Sequence, residues 1–68
     1  MNTMRKKTIP VKIGDIIEGK ISAMGEKGDG ILTVNKYVIF VPNTKLEQKV
    51  KIRVTGIMTK VGFAEVIE

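Results

Sequence analysis

Neither cysteine nor histidine occurs in these 68 residues, so the chain must fold by burying apolar side chains, with no disulfide or structural metal to help. That is demanding. A domain of this size buries only about 60% of the surface its unfolded form exposes, and its core is small in proportion. The same two absences remove whole classes of function. The usual zinc, haem and iron–sulfur ligand sets cannot be assembled, and histidine acid–base or cysteine nucleophilic catalysis is excluded. No cofactor and no metal site is expected, and the lack of cysteine fits a reducing compartment.

The apolar residues that build the core recur at a period of two, the signature of half-buried strands. From Asp15, the residues Ile17, Gly19, Ile21 and Ala23 fall on one side and Glu18, Lys20 and Ser22 on the other. Gly25-Glu26-Lys27-Gly28-Asp29-Gly30 then predicts a glycine-rich turn, since glycine tolerates positive φ. Ile31–Val34 and Tyr37–Val41 read as two strands joined by a tight two-residue turn, Asn35-Lys36. Pro42 ends the second, because it has no N–H for a ladder. A polar connector from Asn43 to Gln48 has room for one helical turn. Val50, Ile52 and Val54 alternate with Lys49, Lys51, Arg53 and Thr55, the cleanest two-faced strand of the chain. Gly56 predicts a bulge, Ile57-Met58-Thr59 a continuation, Lys60-Val61-Gly62 a turn and Phe63–Ile67 a last strand. Five short strands with glycine at the corners predict an all-β fold, a small five-stranded OB-like barrel. An SH3-like barrel has a similar strand count and stays open as a rival.

Charge is uneven along this framework. Residues 1–12 carry Arg5, Lys6, Lys7 and Lys12 and no acid, whereas residues 13–29 carry Lys20 and Lys27 against Asp15, Glu18, Glu26 and Asp29. Residues 30–64 set Lys36, Lys45, Lys49, Lys51, Arg53 and Lys60 against Glu47 alone. Residues 1–10 therefore read as a flexible basic tail, and 11–68 as the folded domain with a basic second half. The basic start is followed by no hydrophobic stretch of the kind a signal peptide or membrane span needs, so a soluble, cytoplasmic protein is expected.

The segments Gly28-Asp29-Gly30-Ile31, Tyr37-Val38-Ile39-Phe40-Val41-Pro42, Val50-Lys51-Ile52-Arg53-Val54 and Phe63-Ala64-Glu65-Val66, in that order, resemble the TRAM domain. The resemblance covers about residues 11–68, and the linked pair GDGI…VIFVP is its most specific part. It implies an OB-like barrel that grips RNA, as TRAM domains do when appended to some tRNA-modifying enzymes. Chains of this length are similar to the archaeal small TRAM proteins, which act like cold-shock proteins as RNA chaperones. The sequence departs from the family at three places. Leu46-Glu47 stands where Pro-Gly is frequent, Thr33 where a basic residue is frequent, and Val61 where an aromatic is frequent.

Single-stranded nucleic acid asks for cations that meet phosphates and flat rings that meet bases. The row Lys49, Lys51 and Arg53 supplies cations at strand spacing, with Lys36 and Lys60 at nearby turns; a solvated strand face would look the same. Three aromatics are available. Tyr37 and Phe40 must point to opposite faces of their strand. The resemblance to cold-shock domains puts the ring between two core residues, as in Ile39-Phe40-Val41, toward nucleic acid, so Phe40 ranks first for stacking. Tyr37 ranks second, since a phenol suits the boundary of core and water, and Phe63 third. Gly28-Asp29-Gly30 reads as a turn rather than a phosphate nest, because a carboxylate repels phosphate, while Lys27 beside it can reach a backbone. Arg5, Lys6 and Lys7 would add non-specific attraction. The expected partner is RNA, single-stranded or structured, with tRNA or rRNA as candidates, bound by a monomer away from any membrane. No catalytic set is present: Ser22 has no base, and the carboxylates are turn-proximal or on strand surfaces. The expected function is an ATP-independent RNA chaperone with weak sequence preference. An accessory subunit for an RNA-modifying enzyme and a protein-interaction module are the alternatives.

Overall fold

The computed structural model describes residues 9–68; the cations Arg5, Lys6 and Lys7 of the expected tail lie outside them. Ile9, inside the segment read as tail, is half-buried against the core. The strands are β1 (Ile16–Lys20), β2 (Ala23–Met24), β3 (Gly30–Val34), β4 (Tyr37–Val41), β5 (Lys49–Ile57) and β6 (Val61–Val66). The two-faced run Lys49–Thr55 gives the longest of them. Val50, Ile52 and Val54 of β5 point inward and are buried, meeting Ile39 and Val41 of β4, Leu32 of β3, Ala64 of β6, and Ile21. Burying one such side chain contributes about 1.5–3 kcal/mol.

These strands form one sheet in the order β1-β5-β6-β4-β3-β2. All neighbours are antiparallel except β4 and β6, which run parallel. The first and last strands of that order are two halves of one segment. Its alternation predicts a continuous strand from Asp15 to Ala23, but the backbone changes partner midway. The Ile21 N–H donates to the Gln48 carbonyl at 2.9 Å, and the Ile21 carbonyl accepts from Glu47 at 2.8 Å. One residue later, the Ser22 N–H donates to the Ile31 carbonyl on β3 at 2.9 Å. The segment thus bridges both ends of the sheet and curls it into an OB-like barrel. Six strands appear where five were expected because this bend splits one of them.

Two connections differ from expectation. Asn43–Gln48 holds no helical turn; Lys45–Gln48 is a reverse turn in which the Gln48 N–H donates to the Lys45 carbonyl at 3.1 Å. Glu47 takes a φ of 70° there, at the position where the family's frequent glycine would sit without strain. The β5–β6 turn is also tighter than expected. The register does shift between Val54 and Gly56, but Val61 and Gly62 already belong to β6, and the Met58 N–H donates to the Val61 carbonyl at 2.8 Å.

Glycine is required where β3 begins. Gly30 is buried, and a Cβ there would overlap Thr44 Oγ1 and lie 3.0 Å from Ile21 Cγ2. Thr44 is itself buried and donates its hydroxyl proton to the Val41 carbonyl at 2.9 Å. The second glycine of Gly28-Asp29-Gly30 therefore makes room for the connector that crosses beneath it.

Candidate nucleic-acid interface

Parallel pairing of β4 with β6 sets Val38 beside Val61 and Phe40 beside Phe63. All four alternate outward, away from buried Ile39, Gly62 and Ala64. Ile31 of β3 stands opposite Phe40, and Ala23 of β2 opposite Ile31. An apolar band thus crosses the outer face of four strands. At its centre the Phe40 and Phe63 rings stack with centroids 6.0 Å apart and planes 28° from parallel, within the range aromatic pairs prefer. Phe63 is 42% exposed and Phe40 half-buried. Beside them the Gly25–Asp29 loop closes a cleft of about 450 Å³ lined by Lys27, Asp29, Ile31, Phe40 and Phe63, among others.

The expected site residues fall into three groups. Phe40, Phe63 and Lys27 share this cleft. Lys36 and Lys60 share another, of about 540 Å³, at the opposite end of the same strands. They precede β4 and β6, so four residues of strand, or about 13 Å, separate Lys36 from Phe40. Lys51 and Arg53 form the third group, on the outer face of β5. There Lys51 Nζ lies 3.8 Å from Glu18 and 3.5 Å from Glu68, and Arg53 lies 3.8 Å from Glu65. Such exposed pairs are worth about 0–1 kcal/mol each, but they counter the charge that a phosphate would meet. The cations placed with the aromatic band, Lys27, Lys36 and Lys60, form no ion pair among the described residues.

Tyr37 does not stand at the boundary with water. It is 6% exposed, and its hydroxyl lies 2.7 Å from the Met58 carbonyl and 2.6 Å from that of Val61. The hydroxyl donates its proton between those two oxygens and accepts the Met58 N–H at 3.3 Å. Gly62 permits this, since a Cβ there would come within 3.0 Å of the ring. Tyr37 therefore locks the β5–β6 turn from inside, and although it lines the cleft that holds Lys36 and Lys60, its ring is largely buried rather than displayed like that of Phe63. The most exposed aromatic is Phe63, ranked last from the sequence. Ile31 carries no local signal at all, because only the β3–β4 register brings it under Phe40.

Lys36 occupies its turn under strain. Asn35 and Lys36 have φ of 48° and 71°, the two-residue hairpin turn in which glycine is favoured second. Lys36→Gly is expected to stabilise the barrel by about 0.5–1 kcal/mol in urea denaturation while weakening RNA binding. A loss of stability would show that the lysine stem packs usefully.

Among the described residues, no group of three or more His, Cys, Asp or Glu side chains could hold a metal ion, and no helix is long and apolar enough to cross a membrane. Comparison with known proteins identifies the architecture. The family model described as the TRAM domain matches residues 3–67. The chain is 43% identical over 61 residues to ribosomal RNA large subunit methyltransferase E of Haloquadratum walsbyi, covering 90% of this chain and 24% of the relative. It is 45% identical over 58 residues to translation initiation factor 2 subunit beta of Methanothrix thermoacetophila, covering 85% of this chain and 28% of the relative. It thus spans about a quarter of the length of these two relatives. An uncharacterized protein of Methanocaldococcus jannaschii is 38% identical over 66 residues, which cover 97% of this chain and 86% of that protein. The solution structure of a conserved Methanococcus maripaludis protein superimposes with a TM-score of 0.84 at 36% identity, over 90% of this chain and 87% of the other. The chain, with the barrel and motif spacing described above, belongs to the TRAM domain family.

Proposed function

We propose that this chain is an RNA-binding module that acts as an ATP-independent RNA chaperone, without chemistry of its own. Membership of the TRAM family implies the RNA binding; the chaperone role is the further step. The observation that carries the reading is the exposed Phe40–Phe63 stack, with cations near both ends of the strands that bear it. Bases that stack on the rings must first leave a duplex, so the protein favours unpaired strands. Binding then shifts hairpins toward open forms by mass action, in proportion to the excess affinity for single strands. In the same reading the protein works as a monomer in the cytoplasm and needs no cofactor. A hairpin RNA with a fluorophore and a quencher at its ends should open under excess protein at low salt. A hairpin that stays closed while the protein is bound overturns the chaperone role.

The distribution of ion pairs supports a specific salt dependence. Neutralising one phosphate fewer on a single strand makes the log–log salt slope of binding shallower by about 0.7. Lys27→Ala, Lys36→Ala and Lys60→Ala should each reduce the slope by roughly that amount. Lys51→Ala should reduce it by less, because Glu18 and Glu68 already flank that ammonium. A larger effect at Lys51 than at the other three would place the RNA on the β5 face instead.

One observation favours a second reading. Chains such as the rRNA methyltransferase contain a region similar to this one as about a quarter of their length, which suits a module that holds RNA for a separate enzyme. Tight binding to one structured RNA, with little affinity for short unstructured strands, would favour that role.

A further inference from the structure

The cleft of about 540 Å³ where β4 and β6 begin differs in chemistry from the aromatic one. Its walls are two turns, Asn35-Lys36 before β4 and Met58–Lys60 before β6, set side by side because those strands run parallel. Asn35, Lys36, Thr59 and Lys60 line it and are exposed. All four side chains can donate hydrogen bonds, and such groups are the usual partners of phosphate oxygens. Among the described residues, none of the four makes a hydrogen bond or an ion pair through its side chain, and no carboxylate lines the cleft. The aromatic cleft, by contrast, sets Glu26 and Asp29 beside Lys27. The ring that lines the Lys36–Lys60 end is that of Tyr37, which is buried and offers a base little face to stack on.

Donors without a stacking face suit paired RNA. In a stem the bases turn inward, and the molecule presents phosphates and 2′-hydroxyls. Two strands also bring phosphates closer together than one; a B-form duplex carries one charge per about 1.7 Å of its axis. The supply of cations at this end matches that density. Ile9 lines the cleft, half-buried, and Arg5, Lys6 and Lys7 precede it by two to four residues with no acid between. The aromatic band, about 13 Å away along the strands, has the opposite preference, because its rings need bases that have left a stack. We propose, on the footing that the face binds RNA, that the Lys36–Lys60 cleft holds the backbone at the end of an RNA stem. Unpaired nucleotides beyond the stem then lie on Phe40 and Phe63, so the preferred substrate is a stem with an unpaired extension.

Three RNAs isolate the feature: a long G·C stem with an unpaired extension, the same stem blunt, and an unstructured strand as long as the first. Affinities are measured for the full chain across a range of salt, with folding checked by circular dichroism. The extended stem should bind about tenfold more tightly than either of the others, the scale of one hydrogen bond to a charged group. Its log–log salt slope should be steeper than that of the unstructured strand by about 1 to 2, since each further duplex phosphate adds about 0.9. In the double variant Lys36→Gly/Lys60→Ala, both differences from the unstructured strand should nearly vanish. Should that variant fail to fold, Arg5→Ala/Lys6→Ala/Lys7→Ala, whose positions lie outside the described barrel, should reduce the same differences. Equal affinity for the extended stem and the unstructured strand, or an advantage that survives the substitutions, overturns the assignment while leaving RNA binding intact. Binding of none of the three fails the RNA reading itself.

Discussion

Phe63→Ala is expected to weaken binding to a short unstructured RNA by roughly 5- to 150-fold, the span of the 1–3 kcal/mol that one stacked base contributes. The ring is 42% exposed and rests on Phe40 rather than in the core, so its removal should leave the barrel folded. Phe40→Ala should cost similar affinity and more stability, because that ring is half-buried between Ile31 and Phe63. The two losses should not add. Each ring orients the other at a centroid distance of 6.0 Å, so the double variant should lose less than the sum of the single losses. Fluorescence anisotropy on a labelled strand measures all three. Unchanged affinity for folded Phe63→Ala would remove the stacking surface from the mechanism.

Gly30→Ala should be the most damaging single-methyl change in the protein. The added Cβ overlaps Thr44 Oγ1 and crowds Ile21, which is fully buried. Moving the threonine breaks its hydrogen bond to the Val41 carbonyl in a buried site. Overpacking costs about 1–3 kcal/mol, and leaving the buried acceptor unpaired adds about 1–3 kcal/mol. At about 0.05–0.15 kcal/mol of stability per residue, a domain this short has little left after such a change. Urea denaturation should show a large drop in midpoint or no folded baseline. Adding Thr44→Ala to Gly30→Ala removes the overlapping oxygen and should recover part of the stability. A double variant less stable than Gly30→Ala would mean that the methyl is accommodated elsewhere.

Much of this fold is written in local pattern. The alternation from Lys49 to Thr55 marks β5, and Gly56 marks its bulge, because inside and outside differ at every step. The same rule fails in Tyr37–Val41, which is apolar on both faces, so nothing local says which ring is buried. That choice is made by Gly62 and the carbonyls of Met58 and Val61, 21 and 24 residues downstream. The bend after Ile21 is hidden for a related reason. The alternation runs straight through it, while the change of partner lies in backbone bonds to Gln48 and Ile31. The basic row on β5 shows the limit most clearly. Lys51 and Arg53 look free in sequence, yet Glu18, Glu65 and Glu68 come from other strands or the chain end, and only the register brings them alongside.

The exchange of neighbours between Ile21 and Ser22 makes the molecule a ring fastened by a single link. The segment on one side of that link grips β5 and the segment on the other grips β3, which are far apart in the chain. Because both holds hang on one stretch of backbone, a domain this small is expected to unfold in a single cooperative transition. Once unclasped, it would bare two unsatisfied strand margins together, a sticky ribbon in place of a closed hoop.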